Sequence, residues 1–463
     1  MIENIILNTD SYKASHFSMY PPGCQVLSCY IESRGGPFTA TVFFGLQAFL
    51  MEYLSKPIDT KDIDEADEIL GKHGLPFHRT GWQYILDQHN GYLPIEIEAV
   101  PEGTIVPTHN VLLQIRNTDP ACYWLPTYLE TALLRAIWYP TTVATVSFEC
   151  KQILRKYLEE TADTLDILPF QLHDFGARGV SSYESAALGG LSHLVNFSGT
   201  DTIAAILAAK KYYSEPMAGF SIPAAEHSTI ISWGKKNERN AYEYLLETYS
   251  GNDKRVSIVC DSYDIWNTLK NTFGRDLKNR IENNAGRIIF RPDSGKPEEV
   301  VVKVIEMLMQ SFGYRMNQKG YRVLPDNIRV LQGDGVTSQS MEACLQGMKV
   351  KQLSAENIVF GMGGALLQRV HRDTAQFAMK VSAAKINNEW INVNKEPATD
   401  AGKISKAGQL ALIKDGFNSF KTILLTDLGD KSNYLRPVYK NGKLLVHDNL
   451  ETIRRRTNAC EFG

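Results

Sequence analysis

The most constraining feature of this chain is a rhythm between about residues 170 and 370. Short apolar runs end in loops of chemically active residues, and helical text usually follows. The run near Leu168–Leu172 ends in His173-Asp174-Phe175-Gly176-Ala177-Arg178, and Phe220–Ile222 leads to Pro223-Ala224-Ala225-Glu226-His227. Ile258-Val259-Cys260 ends in Asp261-Ser262-Tyr263-Asp264, and Ile288-Ile289-Phe290 ends in Arg291-Pro292-Asp293-Ser294-Gly295. Val330-Leu331 ends in Gln332-Gly333-Asp334-Gly335, and Ile358-Val359-Phe360 ends in Gly361-Met362-Gly363-Gly364. Repeated strand–loop–helix units of this kind build a (β/α) barrel, whose ligands bind over the C-terminal ends of the strands. A doubly wound open sheet gives much the same text, so both architectures stay open at this level.

The flanking text is different. Ile95-Glu96-Ile97-Glu98 alternates at period two, and Val111 to Ile115 adds an apolar run after a turn at Pro101 and Gly103. From Tyr123 to about Ala162 the pattern is helical, with Pro140 as an interruption. After 380, Trp390–Val393 and Leu410–Ile413 read as strands, and Asn441-Gly442 sits as a hairpin turn between Val438-Tyr439 and Leu444–Val446. The chain of 463 residues has room for roughly three domains at about 150 residues each, or two if one is a large barrel. The expected class is α/β, with residues 161–379 as an irregular (β/α) barrel. Residues 1–160 and 380–463 are expected to form one discontinuous α/β sandwich domain.

Charge and composition exclude several functions. Lys+Arg total 49 against Asp+Glu 52, a formal charge of −3. That balance argues against a dedicated nucleic-acid binder and leaves room for a local basic pocket. No apolar run reaches membrane-span length and the start MIENIILNTDSYK lacks a signal-peptide layout, so a cytoplasmic protein with no membrane partner is expected. Cys24, Cys29, Cys122, Cys150, Cys260, Cys344 and Cys460 show no CxxC pairing, which points to reduced thiols.

The candidate chemistry sits in the loops after the strands. His227 follows Glu226, and Asp261, Asp293 and Asp334 follow other strands; these acids can orient an imidazole or hold a hydrated Mg²⁺. Helix capping explains one or two such acids, but not all three at consecutive strand ends. Arg178 and Arg291 suit anions or carbonyls, with surface ion pairs as the plainer role. Gly361–Gly364 before Ala365-Leu366-Leu367-Gln368 is either a phosphate cradle or a tight turn. It is no G-x-G-x-x-G, because Leu366 holds the last position, and no Walker A or G-x-S-x-G sequence occurs.

Nearly end to end, the chain resembles the nicotinamide phosphoribosyltransferases, which are type II phosphoribosyltransferases. The resemblance is carried by TDSYKASH at 9–16, LPIEIEAVPEG at 93–103, NTDPACYWLP at 117–126, HDFGARGVSS at 173–182 and NFSGTDT at 196–202. It continues in IPAAEHS at 222–228, DSYDIWN at 261–267, RPDSG at 291–295, QGDGV at 332–336 and FGMGGALLQ at 360–368. The resemblance implies phosphoribosyl pyrophosphate and nicotinamide as substrates, Mg²⁺, ATP as co-substrate, and a homodimer with shared sites. It implies that Phe175 and a partner's Tyr12 sandwich the pyridine ring, that Asp201 accepts from the carboxamide, and that Arg178 and Arg291 flank the ring. Asp293, Gly333 and Asp334 resemble the ribose contacts, and Gly363 and Gly364 the 5′-phosphate cradle. Arg34, Arg372 and Lys380 resemble the basic groups at pyrophosphate or ATP phosphates. His227 resembles a phosphorylated histidine oriented by Asp261 or Glu226, and Asp261 and Asp293 would meet Mg²⁺ directly or through water. Ala177 and Ala378 depart from some relatives, which carry Tyr and Ser there.

Two alternatives remain at the sequence level. Nicotinate phosphoribosyltransferases usually carry paired arginines after the phenylalanine–glycine motif, whereas Gly179 follows Arg178 here. A non-catalytic barrel that binds phosphoribosyl ligands would not need Asp261, Asp293, Asp334 and His227 together.

Overall fold

Five of the six apolar runs, joined by the short strand Gly199–Thr200, pair edge to edge in one parallel sheet, while Phe220–Ile222 forms no strand of it. Its order is Gly199–Thr200, Leu172–Asp174, Ile358–Met362, Ile328–Gln332, Arg287–Arg291, Arg255–Val259. The last of these strands in the chain lies beside the first, with Phe360 opposite Leu172 and Met362 opposite Asp174. The two outer strands are each tied to the segment 220–224 by isolated parallel bridges, Gly199 with Phe220 and Ala224 with Ser257. A doubly wound sheet reverses its strand order near the middle and cannot produce this sequence of neighbours. A half-barrel of βα units produces it directly.

The computed structural model describes residues 4–249, 251–252, 254–399, 404–416 and 419–459. The chain divides into two compact units. One comprises Met1–Thr145, Ala209–Glu215 and Val370–Gly463, and the other Val146–Ala208 and Pro216–Arg369. These cuts stand beside the 160/161 and 379/380 bounds expected from the text. The parallel sheet belongs wholly to the second unit. Its helix Pro297–Phe312 shows how the covering layer is encoded: Val301, Val304, Ile305, Leu308 and Met309 form one buried stripe at helical spacing. Pro297 and two glutamates suit its positive start, and Gly313 at φ 79° ends it.

The first unit is built on a seven-stranded antiparallel sheet ordered Glu389–Asn392, Phe377–Ile386, Cys24–Ser33, Val111–Asn117, Ile95–Ala99, Arg436–Lys440, Lys443–Leu444. Three N-terminal strands form its centre and C-terminal strands form both of its edges, so the unit is discontinuous in sequence. The hairpin at Asn441-Gly442 forms as expected, with φ 47° and 85°, both positive as a type I′ turn requires. The Pro140 interruption does not occur. Helix Glu130–Thr161 runs through it, and the proline ring packs over Gly45, where a Cβ would lie 2.3 Å from it. Packing there outweighs the lost helical hydrogen bond. The six described cysteines are free and buried; Cys460 lies outside the described residues. Among the described residues no helix is long and apolar enough to cross a membrane.

Candidate active site

The polar residues of the second unit collect where the parallel strands end. Asp261, just beyond strand Arg255–Val259, is the organising group, its side chain only 3% exposed. Its Oδ1 lies 3.0 Å from Nε2 of His227, at the start of helix His227–Ile231. Its Oδ2 accepts from the Asp293 N–H at 3.0 Å and the Ser294 hydroxyl at 2.6 Å. One buried carboxylate therefore fixes both the imidazole and the loop after strand Arg287–Arg291. Such a desolvated anion is tolerable only because every donor here points at it. Glu226 takes no part in this: its carboxylate accepts from the Ser228 hydroxyl.

Nδ1 of His227 lies 3.9 Å from Asp293 Oδ2. Burial pushes the Asp293 carboxyl above the usual carboxylate range, and Asp261 and Asp334 add to the effect. The Arg291 guanidinium, 3.7 Å away, and His227 pull the other way. Asp334 is exposed at the end of strand Ile328–Gln332. Among the described residues no group of three or more His, Cys, Asp and Glu converges as a metal cluster. The accessible carboxylate of Asp293, on a loop that Asp261 fixes, nevertheless fits Mg²⁺, which usually takes one or two carboxylates together with water and substrate oxygens.

Phe175 is placed by a different carboxylate. Asp174 is fully buried and held above its usual range by that burial. Its side chain accepts from the Gly176 N–H at 2.7 Å and the Thr200 hydroxyl at 3.3 Å, and its carbonyl accepts from the Asp201 N–H at 2.9 Å. The loops carrying Phe175 and Asp201 are thus tied to one residue. Gly361 completes the seat, since a Cβ there would lie 1.9 Å from the Phe175 ring. Asp201 is exposed and accepts from Ser221 Oγ at 2.5 Å. Sequence reasoning passed over Asp174, Gly361 and Ser221. The HDFG and FGMGG motifs contained the first two, but their work is to support others, and spacing alone does not reveal that.

Phe175, Asp201 and Arg291 line a cavity of about 540 Å³ that also takes in His173, Phe220 and Ser221. Burial holds His173 below its usual range, against the opposing field of Asp201. An aromatic face, an acceptor and a guanidinium in one cavity suit a flat, polar-edged ring. Gly333 lies nearby, its Cβ position 3.5 Å from Phe175, while Gly364 faces open space at the start of the helical turn Gly364–Leu367. Gly363 precedes it, with Phe175 O 3.6 Å from where its Cβ would be. Arg178 is exposed.

Tyr12, Arg34, Arg372 and Lys380 belong to the first unit. The Tyr12 ring is 56% exposed. Arg34 binds Glu32 at 2.8 Å, Arg372 binds Asp373 at 2.8 Å, and Lys380 donates to the Met379 carbonyl at 2.8 Å. Burial lowers the Lys380 ammonium below its usual range, and Arg34 and Lys395 add to this.

Comparison with known proteins bears on both units. The profile of the nicotinate phosphoribosyltransferase (NAPRTase) family matches residues 170–443. That of the nicotinamide phosphoribosyltransferase N-terminal domain matches residues 4–97. The chain is 49% identical to a nicotinamide phosphoribosyltransferase of Xanthomonas campestris pv. campestris, covering 100% of this chain and 99% of that one. A protein of the same name from Acinetobacter baylyi is 31% identical, covering 96% and 95%. Among solved structures, a nicotinate-nucleotide pyrophosphorylase from Pyrococcus furiosus superposes with a TM-score of 0.63 at 16% identity, covering 99% of this chain and 96% of that one. Human nicotinic acid phosphoribosyltransferase gives 0.56 at 15% identity, covering 98% and 93%. Those two likenesses speak to the fold, and the sequence matches to the family: this chain belongs to the nicotinate phosphoribosyltransferase (NAPRTase) family.

Proposed function

We propose that the protein transfers the phosphoribosyl group of phosphoribosyl pyrophosphate to nicotinamide, giving nicotinamide mononucleotide and pyrophosphate for NAD salvage. The observation that carries this reading is the Phe175–Asp201–Arg291 cavity opening beside the Asp261–His227–Asp293 cluster, in a chain 49% identical throughout to a protein of that name. The pyridine nitrogen is a neutral nucleophile with a free lone pair, so no general base is required. Its lone pair forms the bond to C1′ as the C1′–O bond to pyrophosphate breaks. Positive charge then develops on the ribose and afterwards on the ring. Asp293 and Asp334 meet it on the ribose side, while Phe175 and a partner's Tyr12 would offer π faces to the ring. Asp201 receives the carboxamide N–H, and Arg178 and Arg291 flank the ring.

The remaining parts extend the same reading. Asp293, with Asp261 behind it, would hold Mg²⁺ with water and pyrophosphate oxygens. Bound there, the ion neutralises charge on the leaving group. Gly363 and Gly364 would cradle the 5′-phosphate, with Arg34, Arg372 and Lys380 at the pyrophosphate or ATP phosphates. His227 Nδ1, the nitrogen turned away from Asp261, would accept a phosphoryl group from ATP and pass it to water. The parallel sheet with segment 220–224 serves as an irregular barrel, and the first unit as the sandwich domain of a cytoplasmic homodimer with shared sites. Mass-spectrometric product analysis with nicotinamide and nicotinate offered together tests the reading. Nicotinamide mononucleotide should dominate. Equal use of both bases removes the assignment of nicotinamide, and absence of pyrophosphate release removes the enzymatic reading altogether.

A further inference from the structure

The cavity that holds Phe175 and Asp201 reaches the opposite ends of the parallel strands, and there its lining changes character. Arg255 is the first residue of strand Arg255–Val259, Arg287 the first of Arg287–Arg291, and Arg329 the second of Ile328–Gln332. All three line the cavity. Arg255 and Arg287 are direct partners in the parallel ladder, an arrangement in which like charges oppose one another. Burial lowers the Arg329 guanidinium to about 10, with Arg287 reinforcing the effect, and burial followed by Arg255 lowers Arg287.

Carboxylates offset these three only in part: Glu356 and Asp326 oppose the lowering of Arg329, and Asp326 that of Arg287, but burial outweighs them. Glu356 and Asp163 also line the cavity, but they face Arg315, at 3.0 and 3.9 Å. Among the described residues the carboxylate within 4.0 Å of Arg329 is that of Asp326, which is 83% exposed. Arg329 Nη1 donates instead to the carbonyls of Pro325 and Ile328, and Arg287 Nε to the Asp326 carbonyl. Among the described residues Arg255 and Arg287 have no carboxylate within 4.0 Å. Asp166 lines the cavity as well.

From this placement we infer that the rear of the cavity is an oxyanion site, in which Arg255, Arg287 and Arg329 bind a phosphate group. It stands apart from the phosphoribosyl contacts at the opposite strand ends. Guanidiniums on adjacent strands present several donors to one tetrahedral anion, and that geometry suits phosphate better than a single carboxylate. An anion bound there also relieves the repulsion between Arg255 and Arg287, so occupancy and stability are linked.

The test compares the wild type with an Arg255→Ser/Arg287→Ser double variant, titrated calorimetrically with inorganic phosphate and, separately, with ribose 5-phosphate. Both arginines lie outside the machinery proposed for the reaction, so turnover at saturating substrates should persist and report a folded protein. In the wild type, phosphate should fill one more site than in the double variant, or the double variant should bind there at least tenfold more weakly. If only the free anion fills the additional site, the ligand is inorganic phosphate; if ribose 5-phosphate also fills it, the site accepts phosphate esters. Thermal melts provide a second measurement. Without phosphate the double variant should melt no lower than the wild type, and phosphate should raise the wild-type midpoint more. Identical binding stoichiometry and affinity in both proteins, with equal phosphate-induced shifts, would overturn the site.

Discussion

At the scale of single residues, the site depends on which group holds which. Asp201 carries the preference between bases. A carboxylate at about 4 Å from a nicotinate carboxylate is opposed by roughly 1–4 kcal/mol at effective dielectric constants of 80 to 20. Asp201→Asn should therefore narrow the nicotinamide-to-nicotinate ratio of kcat/KM by about fivefold or more. An unchanged ratio would take Asp201 out of base recognition. His227 carries the coupling to ATP. With Asp261 at its Nε2, the ring is oriented for transfer at the other nitrogen, and His227→Ala should abolish ATP hydrolysis while slow, ATP-independent nucleotide synthesis continues. A variant that still hydrolyses ATP at the wild-type rate would leave His227 a structural residue.

At the scale of elements, the strand ends work because their neighbours are small. Strand Ile358–Met362 runs beside Leu172–Asp174, and Gly361 leaves the space that the Phe175 ring fills. Gly361→Ala should displace the ring at a cost of about 1–3 kcal/mol. Steady-state kinetics should show the KM for nicotinamide rising several-fold, with the KM for phosphoribosyl pyrophosphate little changed. Equal KM values in both proteins would mean that the ring has another seat. Much of this layer was legible beforehand, because parallel strands buried on both faces write themselves as apolar runs ending in polar loops. Asp261, Asp293 and His227 were visible for that reason. Asp261 and Glu226 were both legible as partners for His227, but the choice between them was not, since only the fold brings Asp261 onto Nε2. In the other unit the Asn441-Gly442 turn was readable from its dipeptide. The two long central strands, Cys24–Ser33 and Phe377–Ile386, carry mixed side chains and pair across most of the chain, which local pattern does not encode. Pro140 misled because its helix is held by packing on Gly45.

At the scale of the whole molecule, both pH and assembly enter. Glu102 is buried in the first unit and accepts the Gln47 N–H at 2.8 Å. Burial lifts its carboxyl from 4.5 to about 7, partly opposed by that hydrogen bond. Below about pH 4.5 folded and unfolded states both hold the proton. Between there and pH 7 the unfolded chain loses it first, so stability falls as pH rises, by roughly 3 kcal/mol in all. Urea midpoints of the wild type should drop between pH 5 and 8, and Glu102→Gln should flatten that drop. Parallel pH profiles for the two proteins would exclude Glu102 as the source. For the proposed shared site, Tyr12→Ala and Asp293→Ala homodimers should each be impaired, and mixing them should restore activity towards half of wild type per heterodimer. Verified heterodimers without recovery would confine Tyr12 to its own chain. The pairing of early strands with late ones also bears on synthesis at the ribosome. Cys24–Ser33 leaves the exit tunnel roughly 20 to 70 s before its neighbour Phe377–Ile386 at ordinary elongation rates. The half-barrel strands all emerge in that interval, so the nascent chain can complete its inner unit while the first unit still displays an open hydrogen-bonding edge, and a chaperone or a slow codon would matter most in that window.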